Sequence, residues 1–536
     1  MIFFLIPTLN ISDEGANPIF VGCYEDSEPQ IISLNDIDIK TKELVVFNAP
    51  ILIDYLRVNK IGLPKNIIDV FQIFKLINGK PTKYHKYSEQ QVLWHVFNKY
   101  IEDKEELKDV IETLNFTSKT IIETNLECKL FLFLMYLKKV YSIMQIELSE
   151  KGEIERFKTI EKPFNFILAN RQYEGIFLSH LTLNEKIEIV SNQLSSINKR
   201  IRYEYNIFNP QNTAEVKSAL QINNFVYLSK ITKAIDKKSF WNFVKTGSEQ
   251  NEFLKLLYDA YRISFDKNSL IKIIVEEDGK VYPIFDCCGT VTSRTQVRMP
   301  LIQQLKKSSR DIFSAKENYT LLYADYSQFE PGILANLAED EKLIECYNQE
   351  DLYSSLSIEL FGNKDLRPFC KIIFLSFMYG MSETGLENLV KDFFQKDGVS
   401  KKEELQNFFG KFTSLIPYKI KLQEIALKEK RICSSFGNHR YFETNLDNHL
   451  PSKVKRWVLS QKIQGTASLI LKTAIINCCK DDKIEFLIPM HDAALFQVPI
   501  EFLEEKKEII KKEFESAMLL YCPKLKPKVV FKKFTE

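Results

Sequence analysis

Two aspartates stand where a chain could hold hard cations. Asp325 follows the apolar run Leu321-Leu322-Tyr323-Ala324, and Asp492 sits at a turn between the apolar runs FLIPM and AALFQV. A carboxylate just off a buried strand is a rigid anchor, and Mg²⁺ is commonly held by one or two carboxylates plus substrate phosphates. Two such anchors from separate strands can fix two ions ~4 Å apart, which stabilises the attacking and leaving oxygens of an in-line displacement. Either aspartate taken alone reads better as a turn cap. Between them lies RPFCKIIFLSFMYG, in which Arg367 and Lys371 share a helical face, with Tyr379-Gly380 further along. Two cations on one face can clamp a triphosphate. Most Arg/Lys pairs are solvated charged faces, but the positions around this one are almost wholly apolar.

These residues must be brought together by elements from distant parts of the chain. To about residue 115 the pattern is α/β: IFFLI, PIFVGCY and ELVVFN alternate as strands, while ILIDYLRVNKIG and QQVLWHVFNKYIED have helical spacing. Residues 116–155 and 186–265 read as helical. The stretch 270–325 turns to strands, with a hairpin signal at Asp278-Gly279 and a buried strand in YTLLYAD. Residues 333–432 return to helix. The end reads as strand, turn and strand in EFLIPMHDAALFQVPI, then a charged helix, then the strand KPKVVFKKF. No internal repeat or low-complexity linker stands out. Strand-rich parts separated by helical insertions predict an α+β fold with one sheet assembled from separated pieces.

Length and composition bound these readings without choosing among them. At 536 residues, 45% of them hydrophobic, the chain is long enough for two to four domains with large cores. The 40 phenylalanines and heavy use of Lys, Ile and Asn look like an AT-rich genome and carry no functional weight. A net charge of +2 does not suggest nucleic acid; a local basic groove would be what matters. The 10 cysteines and six histidines show no metal-ligand spacing, so reduced thiols in a cytoplasmic-type compartment are the simplest reading. The opening MIFFLIPTLNI lacks the basic and small-residue parts of a signal peptide, and no apolar run reaches membrane-spanning length.

In order along residues 155–536, the chain resembles family A DNA polymerases, the family of bacterial DNA polymerase I. DYSQFE (325–330) is similar to the family's DYSQIE. Arg367-x3-Lys371-x7-Tyr379-Gly380 resembles its fingers helix, and His491-Asp492 its third motif. TVTSRTQVRMPLIQ is similar to the segment T-x-T-G-R ending in P-x-L-Q, IQGTAS to QGTAAD, and FNPQNTAEVKSAL to the start of the thumb. The ordered series is far harder to reach by chance than any single motif.

The resemblance implies roles residue by residue. Asp325 and Asp492, with the backbone carbonyl of Tyr326, would bind two Mg²⁺ ions, for which Mn²⁺ can substitute. Arg367 and Lys371 would hold the triphosphate of the incoming dNTP, and Lys371 could protonate the leaving pyrophosphate. Glu330 would be the gate against a ribose 2′-OH, and Tyr379 would stack near the templating base. Gln328, Tyr353 and Leu375 would also face the nucleotide. Arg294 and Gln464 would reach minor-groove acceptors of the nascent pair. Gln303, His491 and Arg456 would contact primer-template DNA. The implied fold is a right hand behind a DnaQ/RNase H-like domain. Its parts are that domain (1–115), a helical connector (116–155), palm (156–185), thumb (186–270), palm (271–345), fingers (346–449) and palm (450–536). A monomer is expected, and no 5′-nuclease segment is expected before the first domain.

Some positions depart from the family pattern. Leu375 stands where Phe or Tyr is usual, Tyr353 where many members have His, and Ala493 where Glu is common. Pro331-Gly332 replaces Leu-Arg, and Ser293 and Ser460 stand for Gly and Asn. None removes a metal ligand or the Arg/Lys pair, so speed, fidelity and sugar discrimination are the properties affected. In the first domain Asn48 fits the exonuclease pattern, but Leu52 and Gln91 fall where catalytic aspartates should stand. FLIPTLN carries no D-x-E, and Asp54 and Asp69 read as structural. A domain without 3′→5′ exonuclease activity is therefore expected. The rivals are a catalytically dead DNA-binding relative, disfavoured by the retained Asp325, Asp492, Arg367 and Lys371, and an exonuclease with an accessory hand. Within the polymerase reading, replication, gap filling and lesion bypass stay open.

Overall fold

The apolar runs at the start of the chain pair as a five-stranded sheet. A computed structural model describes residues 2–7, 20–34, 38–79, 86–113, 126–222, 240–241, 244–245, 247–248, 251–349, 351–394, 401–442 and 450–535, without the side chains of 6, 7, 113, 126, 221, 222, 452, 453 and 456. Strands β1 (Ile2–Pro7), β2 (Phe20–Tyr24), β3 (Gln30–Ile32), β4 (Glu43–Val46) and β5 (Asn66–Asp69) lie in the order β3-β2-β1-β4-β5. β1 and β2 are antiparallel neighbours, as are β2 and β3, whereas β1-β4 and β4-β5 are parallel. A parallel step needs a crossover, and helix α1 (Ala49–Val58) supplies the one between β4 and β5. Phe3, Leu5, Leu44, Val46, Leu52, Ile53 and Leu56 fill the core beneath it.

Leu52, Gln91, Asp54 and Asp69 each have a structural task in this domain. Leu52 is a core residue, 1% exposed. Gln91 completes a capping box with Ser88 at the start of helix Glu89–Phe97. Asp54 pairs with Arg57 at 2.8 Å. Asp69 is buried and accepts from the N–H groups of Asn48 (3.1 Å), Ala49 (3.1 Å) and Phe71 (2.9 Å), so it ties the end of β5 to the helix ends beside it. Burial raises its carboxyl pKa, while Lys75 and these donors pull it back. In FLIPTLN, residues 8–10 lie outside the described residues.

The second sheet is the one the site needs. Strands β6 (Tyr319–Tyr326), β7 (Glu485–Pro489), β8 (Ala493–Pro499) and β9 (Val529–Lys532) lie in the order β7-β8-β6-β9, all antiparallel. Along β6, Leu322, Ala324 and Tyr326 are buried, while Tyr323 and Asp325 face the open side. This is the period-2 alternation of a half-covered sheet. Four helices matter to the site: α2 (Phe329–Ala338), α3 (Arg367–Met378), α4 (Ser452–Cys478) and α5 (Leu503–Tyr521). Phe514 of α5 lies against Phe496 of β8, and its carbonyl accepts the Tyr326 hydroxyl at 2.6 Å.

The chain divides into two compact units. One comprises Met1–Glu174, Ile284–Gln296 and Asn318–Lys532; the other comprises Gly175–Pro283, Val297–Glu317 and Lys533–Glu536. The second unit contains all of 186–270 and extends past it on both sides. It is built on the helices His180–Tyr205 and Glu252–Leu270, with Ile201, Val216, Leu220, Trp241, Phe253 and Leu257 in its core. The hairpin expected at Asp278-Gly279 is only half present. Gly279 makes the turn at φ +75°, and Glu276 N–H bonds to Lys280 O at 2.9 Å, but residues 273–276 form no strand. Helix Glu252–Leu270 takes the first residue of the apolar run LIKIIV, and Ile271 and Ile274 are left exposed. Lys280–Val281 pairs instead with Ile176–Phe177. All ten cysteines are free thiols. Among the described residues no helix is long and apolar enough to cross a membrane.

Candidate active site

The two aspartates meet where β6 and β8 pair. Asp325 lies opposite Ala493, and Tyr326 N–H bonds to Asp492 O at 3.0 Å. Asp492 sits in the tight turn from β7 to β8, closed by Met490 N–H on Ala493 O at 2.8 Å. Its Oδ1 is enclosed yet accepts no hydrogen bond. Burial pushes its carboxyl up to about 6; Glu330 and Asp325 add to the shift, and Arg294 and Lys371 oppose it. Three carboxylates, Asp492, Asp325 and Glu330, and two cations, Arg294 and Lys371, thus interact electrostatically here. A third cation comes from β9, which sequence reasoning missed. Lys532 pairs with Tyr323, on the same face as Asp325, and its Nζ lies 3.1 Å from Asp325 Oδ2. Diagonal reach of this kind is open to a long side chain.

Turn chemistry fixes the residues just beyond Asp325. Gln328 adopts a left-handed conformation (φ +53°) as N-cap of α2, and Tyr326 stacks on Phe329 at 4.2 Å. Gln328 was expected at the nucleotide. Its side chain is instead buried, and its Oε1 accepts Leu352 N–H at 2.8 Å, so it holds the turn against the next helix. Gly332, in the departure Pro331-Gly332, lies where a Cβ would come within 2.7 Å of the Tyr347 ring.

Arg367 opens α3, with Lys371 and Leu375 on the same face; Lys371 is exposed and Leu375 half-buried. Asp351, another residue not singled out in the sequence, anchors Arg367 with Nε at 3.2 Å and Nη2 at 2.6 Å from Oδ2. Its Oδ1 caps helix Leu352–Phe361 through Tyr353 N–H (3.1 Å) and Ser354 N–H (2.9 Å). An Asp before an apolar helical run is a legible cap signal, but the cap does not reveal the arginine. The Arg367 guanidinium stands over the ring of Tyr353, 5.4 Å from its centre. Tyr353 is buried, and its phenol pKa is raised by burial first and then by the charges of Glu330, Asp492 and Asp351, with Arg367 opposing.

Arg294, Glu330, Tyr379 and Gln464 form one chain. Glu330 accepts from the Arg294 guanidinium on one oxygen and from the Tyr379 hydroxyl on the other. Gln464, on α4, donates to the Tyr379 oxygen at 3.3 Å. His491 is exposed beside Asp492. Gln303 belongs to the other unit, where its Oε1 accepts Val297 N–H at 2.9 Å. The Arg456 side chain lies outside the described residues.

Behind this chain lies a buried ion cluster. Arg156 Nη1 meets Glu153 Oε2 at 2.9 Å and Nη2 meets Glu161 Oε1 at 2.6 Å, while Lys472 Nζ meets Glu161 Oε2 at 2.6 Å. Cys287 and Cys288 complete a set of ligand types with Glu161. Both oxygens of that carboxylate already face cations, which leaves little negative charge for a metal. Burial alone would raise Glu161, yet Lys472 and Arg156 hold it at about 2. His439 Nδ1 lies 2.6 Å from Glu153 Oε1. Burial would lower this imidazole, but hydrogen bonds with Cys433 and Glu153 and the Glu153 charge raise it to about 9. A group raised in the folded state stabilises fully below its unfolded pKa, and that contribution is lost as pH rises through the folded value. His439 should thus contribute on the order of 3 kcal/mol at pH 6 that disappears by about pH 9 to 10. Thermal melts of His439→Gln and the wild type check this: the variant should lose markedly less stability from pH 6 to 9, and parallel losses would refute it.

The polymerase domain of Pol1 from M. smegmatis, in complex with DNA primer-template and dNTP, superposes with a TM-score of 0.78 at 19% identity, covering 99% of this chain and 95% of that one. The fold is therefore that of this polymerase domain. DNA polymerase I of Caldicellulosiruptor bescii is 25% identical over 506 residues, or 86% of this chain and 56% of that protein. DNA polymerase I of Borreliella burgdorferi is 27% identical over 421 residues, or 72% and 44%. The chain spans about half the length of the curated relatives it matches. The family model for DNA polymerase family A matches residues 182–530, well over half of the sequence. This chain belongs to DNA polymerase family A.

Proposed function

We propose that the chain is a DNA-directed DNA polymerase that adds dNTPs to a primer 3′-OH and releases pyrophosphate. The observation that carries the reading is Asp492 Oδ1, enclosed, without a hydrogen-bond donor, and beside Asp325 and Glu330. An enclosed carboxylate oxygen among like charges fits a divalent cation. Asp325, Asp492 and the Tyr326 carbonyl would hold Mg²⁺, or Mn²⁺ in its place. Bound there, such ions supply charge neutralisation at the phosphate and activation of the primer hydroxyl. Arg367, held by Asp351, and Lys371 bind and orient the triphosphate, and the Lys371 ammonium donates a proton to the leaving pyrophosphate. Glu330, Tyr353 and Tyr379 bound the sugar, and Arg294 and Gln464 reach for the minor groove. Residues 186–270 serve as thumb, 346–449 as fingers, and 156–185, 271–345 and 450–536 as palm. Gln303, His491 and Arg456 contact the primer-template, and the working form is a monomer.

The direct test is primer extension by the purified chain with Mg²⁺ and dNTPs, read on a gel. DNA binding without metal-dependent extension would make the chain a DNA-binding relative. Damaged and undamaged templates run side by side then separate lesion bypass from replication or gap filling.

The strand order β3-β2-β1-β4-β5 supports reading residues 1–115 as an exonuclease-like domain, and Leu52 in its core supports its inactivity. A 3′-labelled mismatched primer incubated with Mg²⁺ or Mn²⁺ and no dNTPs should keep its length. Shortening that persists in Asp325→Ala, and so is not pyrophosphorolysis, would reveal a working nuclease site.

Leu375 offers the nucleotide sugar no polar partner, so the enzyme should discriminate strongly against dideoxynucleotides. Leu375→Tyr adds a hydroxyl that can stand in for the missing 3′-OH, and should raise ddNTP incorporation relative to dNTP by about tenfold, the effect of ~1.4 kcal/mol. A wild type that takes both equally would place another residue at that position.

A further inference from the structure

Ser293 has φ +55° and is 3% exposed. That backbone region suits glycine, and a serine held there needs a reason. Its hydroxyl has two partners. It accepts from Arg156 Nη2 and donates to Asn438 Oδ1 at 3.1 Å. Its carbonyl accepts the Ser468 hydroxyl at 2.6 Å. The next residue is Arg294, whose N–H bonds to Thr290 Oγ1 at 3.0 Å and whose guanidinium holds Glu330.

The same cluster grips a second segment. Glu153, the partner of Arg156, accepts from Asn438 N–H (3.2 Å) and His439 N–H (2.8 Å). The loop at 438 in turn sits on α4, where a Cβ on Gly465 would come within 2.9 Å of Asn438 Nδ2 and of Ser434 Cβ. Gln461 donates to Asn438 O at 3.2 Å and to Val291 O at 3.1 Å. Gln461, Gly465, Ser468 and Lys472 form one face of α4, and Gln464 stands beside it. One buried arginine thus joins the segment that carries Arg294 to the loop seated against the turn that carries Gln464.

We propose that Arg156, acting through the Ser293 hydroxyl, is a positioning residue that sets Arg294, together with Gln464, in a fixed frame for reading the minor groove. The inference rests on the polymerase reading above. Its mechanism is orientation: a side chain aimed at an acceptor loses much of its effect when its backbone is released. Arg156 itself is a poor first target, because its loss strands two buried carboxylates. Ser293→Ala removes the hydroxyl alone, and Ser293→Gly also relieves the left-handed backbone.

The test compares extension from primers ending in guanine and in 3-deazaguanine, which lacks the minor-groove acceptor nitrogen. Wild type, Ser293→Ala, Ser293→Gly and Arg294→Ala are measured, with kcat and KM separated and melting followed in parallel. The wild type should lose about tenfold in kcat/KM on the analogue, a loss of ~1.4 kcal/mol. Both Ser293 variants should lose far less, approaching Arg294→Ala, while Ser293→Gly melts no lower than wild type. A structural role alone would move melting and leave the analogue effect intact, and wild-type sensitivity in both Ser293 variants would overturn the proposal. A wild type that extends but ignores the analogue would overturn it too, by removing the minor-groove contact. Absence of any extension would instead refute the polymerase reading beneath it.

Discussion

Asp325→Ala and Asp492→Ala should each lower primer extension by about 10³-fold or more, at least ~4 kcal/mol of transition-state stabilisation, while primer-template affinity changes little. Each removes a metal anchor whose effect falls on the reacting phosphate, whereas DNA affinity comes mainly from phosphate contacts elsewhere. The environment of Asp492 adds a second expectation. Its carboxylate is enclosed, raised to about 6 and surrounded by Glu330 and Asp325, so it opposes folding near neutral pH when no cation compensates it. Asp492→Ala should therefore melt no lower than wild type in the presence of a chelator. Single-turnover extension, gel-shift affinity and thermal melts on the same preparations measure all three quantities. Near-normal extension in either variant would remove the metal assignment.

Glu330→Ala should admit ribonucleotides, lowering the ratio of dCTP to CTP incorporation efficiency by about a hundredfold, or ~2.7 kcal/mol. In the proposed role the carboxylate would crowd the space of a 2′-OH, and Arg294 and Tyr379 hold it from both sides. Removing it therefore also leaves a half-buried guanidinium and a half-buried phenol without their partner. The rate with dCTP should fall as well, so the change must be read as a ratio. Glu330→Gln keeps the bulk and loses the charge; it should preserve much of the discrimination while weakening the hold on Arg294. An unchanged ratio in Glu330→Ala would shift the gate to Tyr353, whose phenol feels the charges of the same carboxylates.

The elements of the candidate site were legible in the sequence because each is a local pattern: an apolar strand carrying Asp325 near its end, a turn carrying Asp492, and a helix with Arg367 and Lys371 on one face. Local patterns do not reveal what distant segments bring. Lys532 reaches Asp325 only because β9 pairs with β6, and Asp351 is tied to Arg367 across a helix boundary. The packing of Gln328 was hidden for a related reason. Its place in the motif suggested the nucleotide, but a left-handed backbone turns its side chain inward to Leu352. The half-formed hairpin at Asp278-Gly279 is a case of competition: the turn residues were read rightly, but the preceding helix took part of the arm. Ser293 was noted as a departure, but the buried arginine that uses it stands far away in sequence.

The order β7-β8-β6-β9 also bears on how the molecule comes into being. β6, which carries Asp325, has both of its neighbours made more than 150 residues later in the chain: β8 at Ala493–Pro499 and β9 at Val529–Lys532. During synthesis this strand emerges with two bare edges and waits for partners while the intervening helices fold around it. Pairings so distant carry a high loop-closure cost and form slowly. Unpaired edges in that interval invite association with other chains. Catalytic competence would then come as a single late event, when the last strand docks. A nascent polypeptide released before Val529 would have Asp325, Asp492, Arg367 and Lys371, and still lack the platform that aligns them.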